Sequence, residues 1–313
     1  MYIGLIYQLL KYKYLRIKMP NKNKIIVTGG AGFVGTNLIK LLLKKTKYKI
    51  ISIDNYSSGR KSNHIKNNRV KYIKGNTVNI SKLIKNTKEI KSLFHFGEFA
   101  RIYQSFLKMN ECIGSNSVGS NAIFNFCLKN KIKLIYSATS ASLGNRGSDK
   151  NLSPYAFSKS KNLELLENLK KWFKFKYEVI YFYNVYGPHQ ISKGHMSTVI
   201  GIFEDHYKKG KPLPVVKPGT QTRRFTHIDD TVLVCYLAWK KNLCRHYSIA
   251  SNKSYSLLEV AKMFKSKIKF LPKRAGERYA SALTDRNLSN KMHKYFGKIK
   301  LKDYIDNFVN KIN

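Results

Sequence analysis

The feature that most constrains this chain is a glycine-rich turn placed between a β-branched run and an amphipathic one. Residues 24–30 read KIIVTGG, a short apolar run closing on glycine, and residues 33–45 (FVGTNLIKLLLKK) repeat their apolar positions at helical spacing. Gly29, Gly32 and Gly35 recur three apart between and into these runs. Glycine lets such a turn close tightly, and it lets a pyrophosphate approach the amides at the helix N-terminus, where the dipole favours negative charge. Asp54 ends the next strand-like run, YKIISID, nineteen residues after Gly35. A carboxylate there accepts hydrogen bonds from ribose hydroxyls and repels a 2′-phosphate. The pattern therefore predicts a dinucleotide fold and NAD over NADP, with Arg60 and Lys61 as the nearby residues that would suit a phosphate.

The alternation continues. Apolar runs end at Gly75, near Phe96 and near Ser137, and residues 176–185 (KYEVIYFYNV) form another, each separated by a helix-like stretch. Short, nearly continuous apolar strands between amphipathic helices indicate a parallel sheet covered on both faces, a doubly wound α/β architecture. After Gly187 the rhythm becomes irregular, and residues 227–250 read as a return to the sheet. The expected division is a dinucleotide-binding domain at 19–185, rejoined by 223–250, with a smaller C-terminal substrate-binding lobe from 186–222 and 251–313.

Residues 1–18 stand apart as an N-terminal extension. Their apolar stretch MYIGLIYQLL precedes the basic KYKYLRIK, the reverse of a secretory signal, and it is too short to span a bilayer. Two readings remain: Met19 is the true start, or the segment is a basic, aromatic interfacial anchor. The chain carries 59 lysines and arginines against 17 acidic residues, a formal net charge of +42. That balance raises nucleic acid as a partner, but the lysines are spread along the chain and no nucleic-acid module is recognisable. Cys112, Cys127, Cys235 and Cys244 form no CxxC pair and no zinc spacing, so neither a disulfide scaffold nor a metal site is expected, and a reducing, cytoplasmic setting is.

Residues 153–159 (SPYAFSK) place Tyr155 and Lys159 four apart at the start of a helix-like stretch, with Pro154 where a helix loses no donor. An ammonium beside the phenol, joined by the positive nicotinamide of NAD⁺, favours phenolate and makes a usable general base.

Taken together, TGGAGFVG (28–35), DNYSSG (54–59), FHFG (94–97), YSATSASLG (136–144), SPYAFSK (153–159), YNVYGPHQ (183–190), GTQTRRFTHIDD (219–230) and RAGE (274–277) resemble the NAD-dependent sugar-nucleotide epimerase/dehydratase family of extended short-chain dehydrogenase/reductases, in particular its 4-epimerases. The resemblance runs from about Lys24 to Lys300 and implies a Rossmann-type domain. It implies that Thr139 hydrogen-bonds the sugar hydroxyl and the tyrosine, and that Tyr155, aided by Lys159, takes the proton of the 4-hydroxyl as hydride passes to NAD⁺. The keto sugar then turns and receives the hydride on its other face. Cofactor contacts implied are Gly29, Gly32, Phe33, Val34, Gly35, Asp54, Asn55, Asn76, Asn116, Tyr155, Lys159 and Tyr183. Substrate contacts implied are Thr139, with Asn184, Arg223 and Arg274 on the diphosphate, Glu277 on the nucleotide ribose and Val216 against the base.

The chain also departs from the family pattern. Asn76 replaces the usual Asp, Glu98 stands where a small residue is common, Arg224 replaces an Asp, and Leu143 replaces a tyrosine. Dehydratases of the family carry an Asp-Glu pair after the threonine, and decarboxylases a Glu nearby. Here Ser140 and Ala141 follow Thr139. The reading that remains is an isomerase acting on a UDP-sugar at C4, of the UDP-glucose/UDP-galactose type; the resemblance also implies a homodimer. The alternatives are a reductase or an epimerase acting at another carbon, such as a heptose 6-epimerase, and a non-catalytic NAD-binding basic scaffold.

Overall fold

The computed structural model describes residues 22–143, 150–276 and 292–312. Its first unit is strand β1 (Lys24–Thr28), the glycine turn, and helix α1 (Phe33–Lys45), followed by β2 (Lys49–Asp54) and β3 (Val70–Lys74). The short helix α2 (Ile80–Leu83) leads to β4 (Ile90–His95). Helices α3 (Ile102–Leu107), α4 (Met109–Ile113) and α5 (Ser120–Lys129) precede β5 (Lys133–Thr139), with one π-helical stretch, Gly114–Gly119, between α4 and α5. Helix α6 (Pro154–Phe173) then crosses to β6 (Tyr177–Phe182).

These strands form one parallel sheet ordered β3-β2-β1-β4-β5-β6, extended by β10 (His246–Ala250) and β13 (Met292–Phe296). The order reverses between β1 and β4, which puts a crevice at the carboxyl ends of those two strands. Alternate side chains explain the two layers. Ile25, Val27, Phe94, Ile135 and Ile180 face α1 and helix α8 (Ile228–Lys241), whereas Ile26, Leu93, Leu134, Tyr136 and Val179 face α5 and α6. Helix α1 turns Leu38, Ile39 and Leu42 inward and ends on Lys44 and Lys45, whose charge suits the dipole there.

A smaller lobe carries its own apolar core, built around Tyr186, Phe203, Leu213, Phe225, Phe264 and Ile305. It includes β7 (Asn184–Tyr186), α7 (Val199–Lys208), β8 (Leu213–Val216), β9 (Thr222–His227), β11 (Ser254–Ser256), α9 (Leu257–Met263), β12 (Ile268–Leu271) and α10 (Leu301–Asn310). Two findings differ from the expected division. Strand β9 does not return to the main sheet but pairs with β7 and β11, and β13, from the stretch assigned to the lobe, forms the edge of the main sheet. No helix among the described residues is long and apolar enough to cross a membrane.

Candidate active site

The site begins at the strand-order reversal. Gly29 has φ +68°, and a Cβ there would lie 2.8 Å from the backbone of Phe96, so the glycine turn packs directly on the end of β4. The Thr28 hydroxyl oxygen accepts the amides of Phe96 and Gly97, both at 3.1 Å, and fixes the two strand ends together. Gly32 supplies no side chain to cap α1, and none caps it among the described residues, so its first amides point outward with the helix dipole behind them. Phe33 and Val34 form the first turn and pack in part against the core. The Asp54 carboxylate closes this end, accepting the amides of Ala31 (3.0 Å) and Tyr56 (2.8 Å). Burial raises its pKa, and those two amides pull it back down. An uncapped helix end beside a carboxylate at the tip of β2 is a donor and acceptor set that fits a dinucleotide.

Helix α6 carries Tyr155 and Lys159. Ser153 caps it by accepting the Ala156 amide at 3.1 Å, and Pro154 occupies its first turn. One face then presents Tyr155, Ser158, Lys159 and Asn162 to the sheet, all buried. Thr139, the last residue of β5, lies beside the Tyr155 phenol, where its hydroxyl favours the ionised form, and accepts the Ala141 amide at 3.2 Å. Ser137 and Ser142 act as loop braces, donating to the carbonyls of His95 (2.9 Å) and Thr139 (2.7 Å).

The ammonium of Lys159 has partners that the sequence reading did not name. It forms an ion pair with Glu98, donates to the Ser137 carbonyl at 2.6 Å and lies 4.6 Å from the centre of the Tyr136 ring. Glu98 is fully enclosed. Its Oε1 accepts the hydroxyls of Ser120 (2.7 Å) and Tyr136 (3.0 Å), and Asn162 donates to Tyr136 at 3.0 Å. Ser120, having donated to Glu98, accepts from His95 Nε2 at 3.0 Å. Thr28, already accepting two amides, donates to His95 Nδ1 at 2.7 Å. These bonds select the neutral Nε2–H tautomer, in keeping with a His95 pKa pushed down to about 4 by burial.

Tyr155 itself is pushed up to about 12, by burial first. The Thr139 hydrogen bond and the Arg101 charge lower it, and Glu98 and Cys112 raise it. The sequence places an ammonium beside the phenol, to act together with the nicotinamide; the structure adds Glu98, which pairs with that ammonium. Arg101, just before α3, adds a second cation that favours the ionised phenol, and its guanidinium donates to the carbonyls of Met196 (2.5 Å) and Ser197 (3.2 Å) of the lobe.

Other expected contacts are distributed unevenly. Asn116 is wholly buried and committed inside the protein. It accepts the Phe99 amide at 2.7 Å and donates to the Phe99 carbonyl and Ser158, so it braces the segment behind Glu98 rather than facing the crevice. Asn55 and Asn76 are exposed and hold local turns through the amides of Ser57 and Val78. Tyr183 is buried directly before β7. On the lobe side, Asn184 and Arg223 lie on the paired strands β7 and β9, and Val216 ends β8, nearly buried. Arg224 is tied to the carbonyls of Ser251 and Asn252, at 2.6 and 2.7 Å. Arg274 is exposed and lies 5.3 Å from the centre of the Tyr103 ring on α3. Glu277, Gly144 and the 1–18 extension lie outside the described residues.

Sequence reasoning did not single out Arg101, His95, Ser120, Tyr136 or Asn162. One signal was available: a carboxylate inside the apolar segment FHFGEFA requires a buried partner, and a lysine on a sheet-facing helix is the natural one.

Comparison with known proteins agrees with this geometry. The profile of the NAD dependent epimerase/dehydratase family matches residues 25–250. The chain belongs to that family, and its cofactor is NAD. It is 30% identical over 259 residues to an ADP-L-glycero-D-manno-heptose-6-epimerase of Brachyspira hyodysenteriae, covering 77% of this chain and 80% of the relative. The UDP-glucuronic acid 4-epimerase of Bacillus cereus, solved with UDP-glucuronic acid and NAD, superposes with a TM-score of 0.80 at 24% identity over 93% of this chain and all of its own. The UDP-glucose 4-epimerase of Thermotoga maritima, solved with UDP-glucose, gives 0.78 at 23% identity over 92% of this chain and 97% of its own. These likenesses establish a nucleotide-sugar epimerase/dehydratase fold.

Proposed function

We propose that this chain epimerises a UDP-sugar at C4, of the UDP-glucose/UDP-galactose type. The observation that carries the reading is the buried Tyr155 phenol set beside Thr139 at the end of β5, with Ser140 and Ala141 where a dehydratase would need acids. Gly29, Gly32, Gly35 and Asp54 hold the dinucleotide; when bound, NAD supplies the hydride acceptor and, in its oxidised form, a positive ring. Tyr155 takes the proton of the sugar 4-hydroxyl and later returns it to the same oxygen, once the sugar has turned its opposite face to the hydride donor. Thr139 aligns that hydroxyl. Tyr183, Asn55 and Asn76 line the cofactor end. Asn184, Arg223 and Arg274 hold the diphosphate, Val216 the base and Glu277 the nucleotide ribose, the arginine fork being suited to phosphate oxygens.

The reaction is redox-neutral, which agrees with a reaction centre closed off from water: His95, Ser120, Glu98, Tyr136 and Lys159 are all buried. The test is product analysis with UDP-glucose, UDP-N-acetylglucosamine and UDP-glucuronic acid, without added cofactor. Interconversion by the wild type and a loss of at least about 100-fold in Tyr155→Phe are expected. Equal inertness of both proteins toward all three would overturn the reading. The 30% identity to a heptose epimerase favours a second one, epimerisation at C6 of an ADP-heptose, so that substrate belongs in the same panel. The expected homodimer would cover the exposed apolar side chains Phe106, Met109, Leu152 and Phe157, which group beside α6, and sedimentation velocity tests it.

A further inference from the structure

Glu98 is the one feature of the centre that neither the proposed proton transfer nor the family pattern calls for. A buried carboxylate is costly unless it is paired and hydrogen-bonded. This one is satisfied on every side: Lys159 on one oxygen, Ser120 and Tyr136 on the other, with Asn162 behind them. Its partners come from α5, β5 and α6, and Thr28 and His95 fix it in turn to the glycine turn and β4. Such a site is built, and it is built around the same ammonium that neighbours the catalytic phenol.

Resting on the function proposed above, we propose that Glu98 is a positioning residue of the reaction centre, a carboxylate that anchors the Lys159 ammonium and governs how strongly that cation acts on the Tyr155 hydroxyl. The groups that face Tyr155 can be named element by element. Thr139 comes from β5, Arg101 from just before α3, Cys112 from α4 and Glu98 from the segment after β4, while Lys159 lies one turn along α6 from Tyr155 and is paired with Glu98. Thr139 and Arg101 favour its ionised form, while burial, Glu98 and Cys112 oppose it. Cys112 is itself pushed up to about 11 and stays neutral in the working range. Lys159 is drawn down by burial and up by Glu98, and Glu98 also raises Tyr155, so removing the carboxylate lets the phenol give up its proton more readily. With Glu98 present, that proton is held to higher pH.

Glu98→Gln keeps the volume and the acceptor oxygen and removes only the charge. We expect the acidic limb of its kcat/KM profile to move down by on the order of one pH unit, with KM for the nucleotide sugar little changed. A direct readout needs no turnover: the ¹³Cζ resonance of Tyr155, assigned by its disappearance in Tyr155→Phe, should begin to move toward tyrosinate at correspondingly lower pH. A profile that falls uniformly with its limb in place, and a ¹³Cζ titration that does not move, would mean that Glu98 only holds the fold, and the inference is overturned. If Glu98→Gln does not fold, as shown by a lost circular dichroism melt, Glu98→Asp replaces it. The shorter carboxylate keeps the charge but retracts from Lys159, and the limb should move in the same direction by less; an unmoved limb again overturns the inference. Failure of the two proposals is separable. A fully active Tyr155→Phe removes the catalytic reading itself, whereas an inactive Tyr155→Phe beside an unmoved Glu98 variant removes only the role of Glu98.

Discussion

Gly35→Ala is the sharpest test of how the dinucleotide turn is built. A Cβ at position 35 would lie 2.2 Å from the Gly29 carbonyl oxygen and 2.7 Å from the Gly30 Cα. Both are backbone atoms, so no rotamer change relieves them. Restoring an ordinary carbon–oxygen contact requires a separation increase of roughly 1 Å, given van der Waals distances near 3.5 Å. That displacement must be taken by α1, whose Leu38, Ile39 and Leu42 are locked in the core, or by the turn, which Gly29 presses against Phe96. Overpacking of this kind costs up to about 3 kcal/mol. For a chain of this length the melting temperature should fall by about 5 °C. The same shift moves the first amides of α1 relative to Asp54, so NAD affinity should drop by tenfold or more, since about 1.4 kcal/mol suffices for each tenfold. Thermal melts and NAD titration by calorimetry measure both. A variant that melts with the wild type and binds NAD equally well would refute the claim that close backbone packing sets this site.

Two further outcomes follow from the buried network. Thr139→Val removes the hydroxyl that favours ionised Tyr155, so the acidic limb of the pH–rate profile should move upward and kcat fall by roughly tenfold or more; a limb that stays in place would show that the hydrogen bond does not act in turnover. His95 has a folded pKa of about 4, below its unfolded value, so its contribution to stability is complete above pH 6.5 and is lost as pH falls toward 4. This amounts to roughly 3 kcal/mol, and urea midpoints at pH 7.5 and 4.5 should differ more in the wild type than in His95→Asn, an equal difference being the contrary result.

Much of this architecture is legible in the residues because it rests on local periodicity. Helix α1 occupies the span its apolar spacing marks, and β1, β2 and β4–β6 fall on the continuous apolar runs. Tyr155 and Lys159 sit on one helical face as their spacing requires. What is not legible depends on partners distant in sequence. Glu98 and Lys159 meet across 61 residues, and no helical or strand period reports such a meeting, so the sequence showed an odd carboxylate without its purpose. Strand β13, MHKYF, is an edge strand that buries little beyond Met292, so it lacks the apolar continuity that revealed the inner strands. Strand β9 has the β-branched and aromatic character of a strand but not its address, because pairing choice lies in tertiary contacts. Asn116 looked like a ligand because its position matched a motif; its amide serves the backbone of Phe99 instead.

The Thr28 hydroxyl has a wider consequence. By gripping two amides of the neighbouring strand end and orienting His95, one small side chain locks the floor of the crevice and the charged anchor beneath it into a single rigid block. The strands bearing Asn184, Val216 and Arg223 belong to a separate core. On the proposed reading, the side chains that grip the nucleotide can therefore be altered without disturbing the acid–base centre beneath the crevice.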